Sequence, residues 1–91
     1  MKNQINDILD WSDYWNRFEM LCDIFTRSNR HQIKDDFMEA QSNVNGMTDG
    51  WFEFVIRLEK YINKHKFNLN KDELETANFL LNYIKSPLSR Y

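Results

Sequence analysis

Apolar residues recur along this chain at alternating spacings of three and four positions, which is the period of one face of an α-helix. The first run of this kind is the longest and predicts a helix over residues 3–27. Its spacing suits near-parallel packing against a neighbouring helix. The apolar positions on this face are Ile8, Trp11, Trp15, Phe18, Cys22 and Phe25.

Three further apolar faces predict helices over residues 29–43, 50–65 and 71–85. No alternating apolar and polar pattern longer than a few residues occurs, so no strand is expected. We therefore expect an all-α, single-domain four-helix bundle with a long first helix and mostly antiparallel neighbours. The three faces comprise Ile33, Phe37, Ala40 and Val44; then Trp51, Phe54, Val55, Leu58, Tyr61 and Ile62; and finally Leu74, Ala77, Leu80, Leu81 and Ile84.

Polar residues and a proline mark the expected ends of these helices. Ser28 and Asn29 offer capping oxygens to the second helix. Asn70 and Glu73 are three positions apart, as in a capping box, and predict the start of the fourth helix. Pro87 is expected to end that helix, because a proline ring disfavours helical backbone at the residue before it.

Both glycines of the chain, Gly46 and Gly50, lie between the second and third predicted helices. Gly46 can adopt the left-handed conformation that commonly ends a helix, and Gly50 allows another segment to pass close by. Thr48 or Asp49 can accept hydrogen bonds from the first turn of the third helix. The segment therefore predicts a tight corner between two helices, with a functional loop as the alternative.

Charge and cysteine content restrict the partners and location of the protein. A net charge of −2 gives no general attraction to nucleic acid or to an anionic membrane surface. Cys22 is the single cysteine, which leaves no intramolecular disulfide and no cysteine-based zinc site. No apolar run approaches the roughly 18 residues of a membrane span, and the first residues do not resemble a secretory signal. We expect a cytoplasmic protein that binds neither nucleic acid nor membrane.

Few residues suggest catalysis or metal binding. His31 and His65 are the only histidines, and neither takes part in a zinc-protease or di-iron motif. Both are expected to be ordinary surface groups. Asp35, Asp36 and Glu39 place three carboxylates on one side of the second helix, which we interpret as a solvated acidic face and not as a metal site. We predict no cofactor, no metal and no enzymatic activity.

The second helix, the glycine corner and the third helix have the outline of a helix-turn-helix. A recognition helix presents polar and basic side chains near its start. The third helix instead begins with WFEFVIRLEKY, and its basic residues come late. Arg27, Arg30 and Lys34 form a small basic cluster, but no aromatic residue is interleaved with them for base stacking. DNA binding is therefore not the preferred interpretation.

Apolar pairs one helical turn apart lie off the main face of three helices. Each pair either widens the core or forms part of an exposed contact surface. We take the pairs of the third and fourth helices as a predicted patch for a protein partner or a second copy of the chain. The pair on the first helix is Met20 with Ile24. The predicted patch comprises Phe52 with Ile56 on the third helix and Phe79 with Tyr83 on the fourth.

The corner between the second and third predicted helices resembles the glycine–methionine corner of a group of small helical bacterial proteins. In this chain it reads Gly46-Met47-Thr48-Asp49-Gly50-Trp51-Phe52, and in those proteins it often reads Gly-Met-Gly-Ser-Phe-Asn-Asp. The likeness covers about half of the chain and consists mostly of turn residues. Immunity proteins, which neutralise a toxin, include small helical proteins of this general kind. The resemblance implies a helical fold and favours an inhibitor role, and it transfers no site residues.

The leading hypothesis is a non-catalytic protein-binding module in a bacterial cytoplasm, more specifically an immunity or inhibitor protein that occludes a toxin or other protein partner. The predicted patch supplies apolar anchors, and Asp35, Asp36 and Glu39 help to orient the partner. The alternative is a structural homodimer or a small subunit of a larger complex, in which the off-face pairs meet their own copies. Enzymatic activity ranks third.

Overall fold

The structure is a computed structural model that describes the backbone over residues 11–44 and 48–88, and side chains over residues 11–44 and 49–85. Four α-helices follow one another, and no strand occurs in these ranges. The predicted all-α four-helix bundle is confirmed. The helices are α1 (Trp11–Arg27), α2 (His31–Gln41), α3 (Thr48–His65) and α4 (Lys71–Leu88), with a short 3-10 turn at Lys66–Asn68 before α4.

The helices form a ring in which α1 contacts α2, α2 contacts α3, α3 contacts α4, and α4 returns to α1. Tyr14, early in α1, contacts Leu80 in the second half of α4, while Arg30, just beyond α1, pairs with Glu73 near the start of α4. Helices α1 and α4 are therefore antiparallel neighbours. Among the described helices, none combines the length and the apolar character that crossing a membrane requires.

The predicted apolar faces converge on an aromatic core. Phe18 of α1 lies 6.1 Å from Phe37 of α2 and 5.8 Å from Phe54 of α3, measured between ring centroids. Phe25 meets the same Phe37 edge-on at 5.3 Å. Offset and edge-to-face ring pairs stabilise by about 0.5–1.5 kcal/mol beyond the area that they bury. The sorting of apolar residues around each helix thus brings α1, α2 and α3 together through their phenylalanines.

The turn between α1 and α2 ends α1 instead of capping α2. Asn29 has φ of 62°, its amide donates to the Thr26 carbonyl, and the Arg30 amide donates to the Phe25 carbonyl at 2.8 Å. This pair of bonds is a Schellman motif, which places a left-handed residue just after a helix. The expected capping of α2 by Ser28 or Asn29 is therefore wrong: Arg30 holds the N-cap position without a side-chain cap. Asparagine tolerates the left-handed backbone well enough to end a helix.

The third helix begins earlier than predicted. Thr48 and Asp49 belong to its first turn and do not precede it as caps. Asp49 is favourable there, because the N-terminus of a helix carries partial positive charge. Gly50 is buried within the same turn, as the predicted close passage requires. The predicted helix end at Gly46 is wrong, because α2 already ends at Gln41 with Ser42 in the C-cap position. Gly46 itself and residues 3–10 of the predicted long first helix lie outside the described residues.

The start of α4 was predicted correctly, and its end was not. The Asn70 side-chain oxygen accepts from the Glu73 amide at 2.8 Å, and the Glu73 carboxylate accepts from the Asn70 amide at 3.0 Å. These reciprocal bonds are the predicted capping box. The helix passes through Pro87 to Leu88. A proline in the last turn removes one backbone hydrogen bond only, and the preference of the preceding residue for extended backbone is not absolute.

Tyr14 supplies the buried polar contact between α1 and α4. Its side chain is fully buried, and its hydroxyl donates to the Leu80 carbonyl at 2.8 Å. Burial raises the pKa of this phenol, with a smaller contribution from Tyr83. The hydroxyl therefore stays protonated and remains a donor.

Replacing Tyr14 with phenylalanine should lower the free energy of unfolding by about 1 kcal/mol, the usual contribution of one internal hydrogen bond. Urea unfolding followed by circular dichroism measures the change. Tyr83→Phe is the matched control, since it removes the same atom from a side chain that is 36% exposed. An equal loss in both variants would show that the Tyr14 hydrogen bond contributes nothing specific.

Candidate functional site

His65 is part of the packing between α2 and α3. It is 6% exposed, and its Nε2 atom lies 2.7 Å from Asp36 Oδ2. The expectation that both histidines lie on the surface is therefore wrong for His65 and right for His31, which is exposed. His65 lies one turn after Tyr61 and Ile62 on the inward side of α3, and the periodicity of the chain contained this signal.

The acidic residue Asp36 forms hydrogen bonds with two side chains of α3. Lys64 donates to the same carboxylate oxygen as His65, at 3.1 Å. Partial burial tends to raise the pKa of Asp36, but the hydrogen bonds from His65 and Lys64 outweigh it, and the pKa is lowered. This carboxylate joins α2 to α3. Asp36 therefore does not belong to the solvated acidic face that was predicted for α2.

The other two acidic residues of α2 differ from each other. Glu39 accepts from the Tyr61 hydroxyl at 2.8 Å and from the Arg57 guanidinium at 3.1 Å. The pKa of Glu39 is lowered, first by the hydrogen bond from Tyr61. The Asp35 side chain is 71% exposed and lies 3.5 Å from Lys34. The orienting role of all three acids stays a prediction, and Asp35 is the member most open to solvent.

The cysteine of this chain is buried, and its thiol is not activated as a nucleophile. Cys22 is 5% exposed, and burial, with a smaller contribution from Asp23, raises the pKa of its thiol to about 12. A thiol of that pKa is protonated at neutral pH and is a poor nucleophile. No group of three His, Cys, Asp or Glu side chains over the same ranges has a geometry that could hold a metal ion.

The structure brings together two members of the predicted patch and places the other two elsewhere. Phe79 and Tyr83 lie 6.4 Å apart on α4, and Tyr83 also contacts Trp11 and Tyr14 of α1. Both belong to the side of α4 that faces α1.

Phe52 and Ile56 belong to α3, which lies on a different side of α4. Lys85 pairs with Glu59 and so marks the side of α4 that faces α3. Tyr83 precedes Lys85 by two positions, so it projects about 200° around the helix from that side. Phe52 is half-buried, and Ile56 is 60% exposed.

A groove of about 660 Å³ runs between α1 and α4. Its apolar walls include Met20, which is 64% exposed, and Ile24, which is 37% exposed, both from α1. Phe79 of α4 is half-buried and lines the opposite wall. The off-face pair of α1 and the first residue of the α4 pair therefore meet at one surface. The helical period identifies these residues as lying off the main faces, but it does not predict that they share a groove.

The lining of this groove is acidic. Four carboxylates and one guanidinium take part, namely Asp13, Asp72, Glu73, Glu75 and Arg17. Asp13 pairs with Arg17 at 3.4 Å, and Glu73 pairs with Arg30. Asp72 and Glu75 are exposed and form no ion pair within the described residues. The groove thus combines apolar walls with a negative rim on α4.

Glu73, one of the residues that line this groove, pairs with Arg30 of the α1–α2 turn. Both terminal nitrogens of the Arg30 guanidinium donate to the Glu73 carboxylate at 2.6 Å, and one of them also donates to the Asn68 carbonyl at 2.8 Å. The hydrogen bonds from Arg30 lower the pKa of Glu73 against the opposing effect of burial. The Arg30 guanidinium lies 5.2 Å from the centre of the Phe25 ring. This clamp joins the α1–α2 turn to the start of α4, and sequence analysis missed it.

Phe67 is the most exposed large apolar residue among those described, at 90%. It belongs to the 3-10 turn, and the Lys66 ammonium lies 5.3 Å from the centroid of its ring. The apolar pattern of the chain breaks at this turn and gives no signal of an exposed aromatic residue. A single exposed side chain of this kind carries less information than a groove lined by several.

No protein-family model, curated protein or solved structure matches this chain. The fold places it among all-α four-helix bundles. The groove between α1 and α4 is the surface feature from which its function can be inferred.

Proposed function

We propose that this protein is a non-catalytic protein-binding module and that its partner binds in the α1–α4 groove. The observation that carries this proposal is the grouping of Met20, Ile24 and Phe79 in one concave surface with an acidic rim. Exposed apolar side chains that cluster inside a polar boundary are typical of protein contact surfaces. Methionine suits such a surface because its flexible thioether adapts to the shape of a partner.

The module is an immunity or inhibitor protein of a bacterial cytoplasm, which acts by occluding its partner. Support comes from the resemblance of the corner at residues 46–52 to small helical bacterial proteins. The roles of two side chains that could react also support a non-catalytic protein. The buried Cys22 thiol is protonated at neutral pH, and His65 forms a hydrogen bond with Asp36. A protein of this kind needs a stable surface and no reaction centre of its own.

The homodimer alternative is less well supported by the charges of the groove. A two-fold contact through this surface would bring Asp72 and Glu75 of each copy close to the same groove of the other. Like charges placed together at an interface oppose association. Sedimentation velocity over a concentration series tests this alternative, since self-association that Met20→Ala abolishes would establish the dimer.

Affinity purification from the native host tests the proposed surface. Met20→Ala should reduce the recovery of a bound protein partner by about tenfold, because one apolar anchor contributes roughly 1–2 kcal/mol to an interface. Ile56→Ala is the matched control, since Ile56 is 60% exposed and Met20 is 64% exposed. Both substitutions remove an exposed apolar side chain from a helix.

The two variants also separate the groove from the predicted patch on α3. Loss of the partner with Met20→Ala alone supports the groove. Loss with Ile56→Ala alone would transfer the site to the outer surface of α3 and overturn the groove. Circular dichroism of both variants should match the wild type, because exposed substitutions away from special features seldom change stability by more than about 0.5 kcal/mol.

A further inference from the structure

We infer that the partner segment in the α1–α4 groove is a short amphipathic helix with Lys or Arg beside its apolar face. This inference rests on the proposed function and specifies the chemistry of the partner. Three properties of the groove support it: its length, the helical backbone of its walls, and its charge.

The length of the groove fits two to three turns of helix. Its lining extends from Asp13 to Ile24 on α1 and from Asp72 to Leu80 on α4. At a rise of about 1.5 Å per residue, these stretches span about 17 Å and about 12 Å. A helix of two to three turns places its apolar positions at i, i+3 or i+4, and i+7 along that distance. Such a helix presents two or three anchors to Met20, Ile24 and Phe79.

The backbone of the groove walls favours a helix over an extended segment. Both walls are α-helices, whose amides and carbonyls are already bonded within the helix except at the ends. An extended partner would bury its own amides against walls whose backbone groups are already bonded apart from the first turn of α4, whereas a helix satisfies its amides internally. A helical partner therefore adds a fifth helix to the bundle without losing backbone hydrogen bonds.

The charges of the groove favour a partner helix with basic residues beside its apolar face. The lining contains four carboxylates and one guanidinium. Asp13 and Glu73 already have arginine partners, while Asp72 and Glu75 are exposed on the first two turns of α4. A Lys or Arg beside the apolar face of the partner reaches these two carboxylates, and an acidic flank is repelled by them.

Two designed peptides provide the probe. Each has about 14 residues, with leucines at i, i+3, i+7 and i+10, and they differ only in carrying Lys or Glu at the flanking positions. Fluorescence anisotropy of labelled peptide, titrated with the full chain, measures binding at low and high salt. The Lys peptide should bind at least about tenfold more tightly than the Glu peptide, and salt should reduce the difference.

Charge variants locate the interaction. The double variant Asp72→Asn with Glu75→Gln should weaken binding of the Lys peptide by about fivefold to tenfold and reduce its salt dependence. The matched control is Glu19→Gln with Asp49→Asn, which removes the same charge from exposed positions outside the groove. Met20→Ala should weaken both peptides, because both use the apolar walls.

The outcomes separate this inference from the proposed function. Equal affinity for the two peptides, an equal effect of the two double variants, or no binding of either peptide would overturn the basic helical partner. The proposed function would still stand if Met20→Ala abolished recovery of the native partner. Retained recovery with Met20→Ala would overturn the groove itself, whatever the peptides do.

Discussion

Phe18→Ala should lower the free energy of unfolding by about 3–5 kcal/mol, the usual cost of removing a buried phenylalanine. The Phe18 side chain is fully buried, and its ring contacts Phe37 of α2, Phe54 of α3 and Trp15. Truncation leaves a cavity where three helices meet, and the neighbouring rings cannot all move in to fill it. A domain of this length has a total stability of about 5–14 kcal/mol, so the loss is a large fraction of the whole.

Phe67→Ala is the matched control for this prediction. It makes the same chemical change at a side chain that is 90% exposed, so the free energy of unfolding should change by less than about 0.5 kcal/mol. Urea unfolding followed by far-ultraviolet circular dichroism measures both variants. A loss below about 1.5 kcal/mol for Phe18→Ala would contradict the aromatic core described above, because it would lie under the range for cavity-forming substitutions.

Glu73→Gln should lower the free energy of unfolding by about 1.5–3 kcal/mol at neutral pH, the usual contribution of hydrogen bonds to a charged group. Glutamine keeps an oxygen for the Asn70 amide, so the capping box can persist. The substitution removes the charge that Arg30 binds at 2.6 Å, and it replaces the oxygen that accepts from the second Arg30 nitrogen with an NH2 group that cannot accept. The Glu73 side chain is 6% exposed, so water replaces little of the lost interaction.

The same variant tests the pH dependence of the clamp. Arg30 lowers the pKa of Glu73 in the folded protein, against an unfolded value of about 4.3. The contribution of Glu73 is therefore complete above the unfolded pKa and is lost as the pH falls through the folded pKa. The difference in stability between the wild type and Glu73→Gln should be largest near neutral pH and should shrink in acid.

Glu75→Gln is the matched control for the clamp. Glu75 lies two positions further along α4, is exposed, and forms no ion pair within the described residues. Its substitution should change stability by less than about 0.5 kcal/mol at any pH where the protein is folded. Equal losses for Glu73→Gln and Glu75→Gln would show that the Arg30–Glu73 pair does not stabilise the protein.

Local sequence signals predicted some helix ends and failed at others. The Asn70–Glu73 capping box was predicted correctly because both partners belong to one turn of α4. Asn29 was assigned to the wrong helix, since its polar side chain suits a cap while its left-handed backbone ends α1. Pro87 lies inside the last turn of α4, where the helix loses only one bond by including it.

The candidate site was only partly predictable. Met20, Ile24 and Phe79 were recognised as apolar residues off the main face of their helices, because periodicity alone places them there. That they line one groove depends on α1 and α4 being neighbours, which no local pattern states. Phe79 and Ile56 were grouped for the same reason, although they belong to different sides of the bundle.

Long-range pairs of polar side chains were the least predictable feature. Arg30 and Glu73 are 43 positions apart, and Asp36 and His65 are 29 apart. When the chain is considered one helix at a time, each of these four residues is equally compatible with a solvated position on the surface. Their pairing depends on the distance between helices, and the pairing in turn decides which charges remain free to meet a partner.

The order of residues was sufficient to determine that this chain is helical, roughly where its helices run, and which side of each is apolar. The reason is that an α-helix repeats every 3.6 residues, so its inward side can be counted along the chain. The bundle alone decided that Met20 faces Phe79 and that Arg30 reaches Glu73. Both depend on which helices become neighbours, and that is settled by packing and charge pairing among residues far apart in the chain.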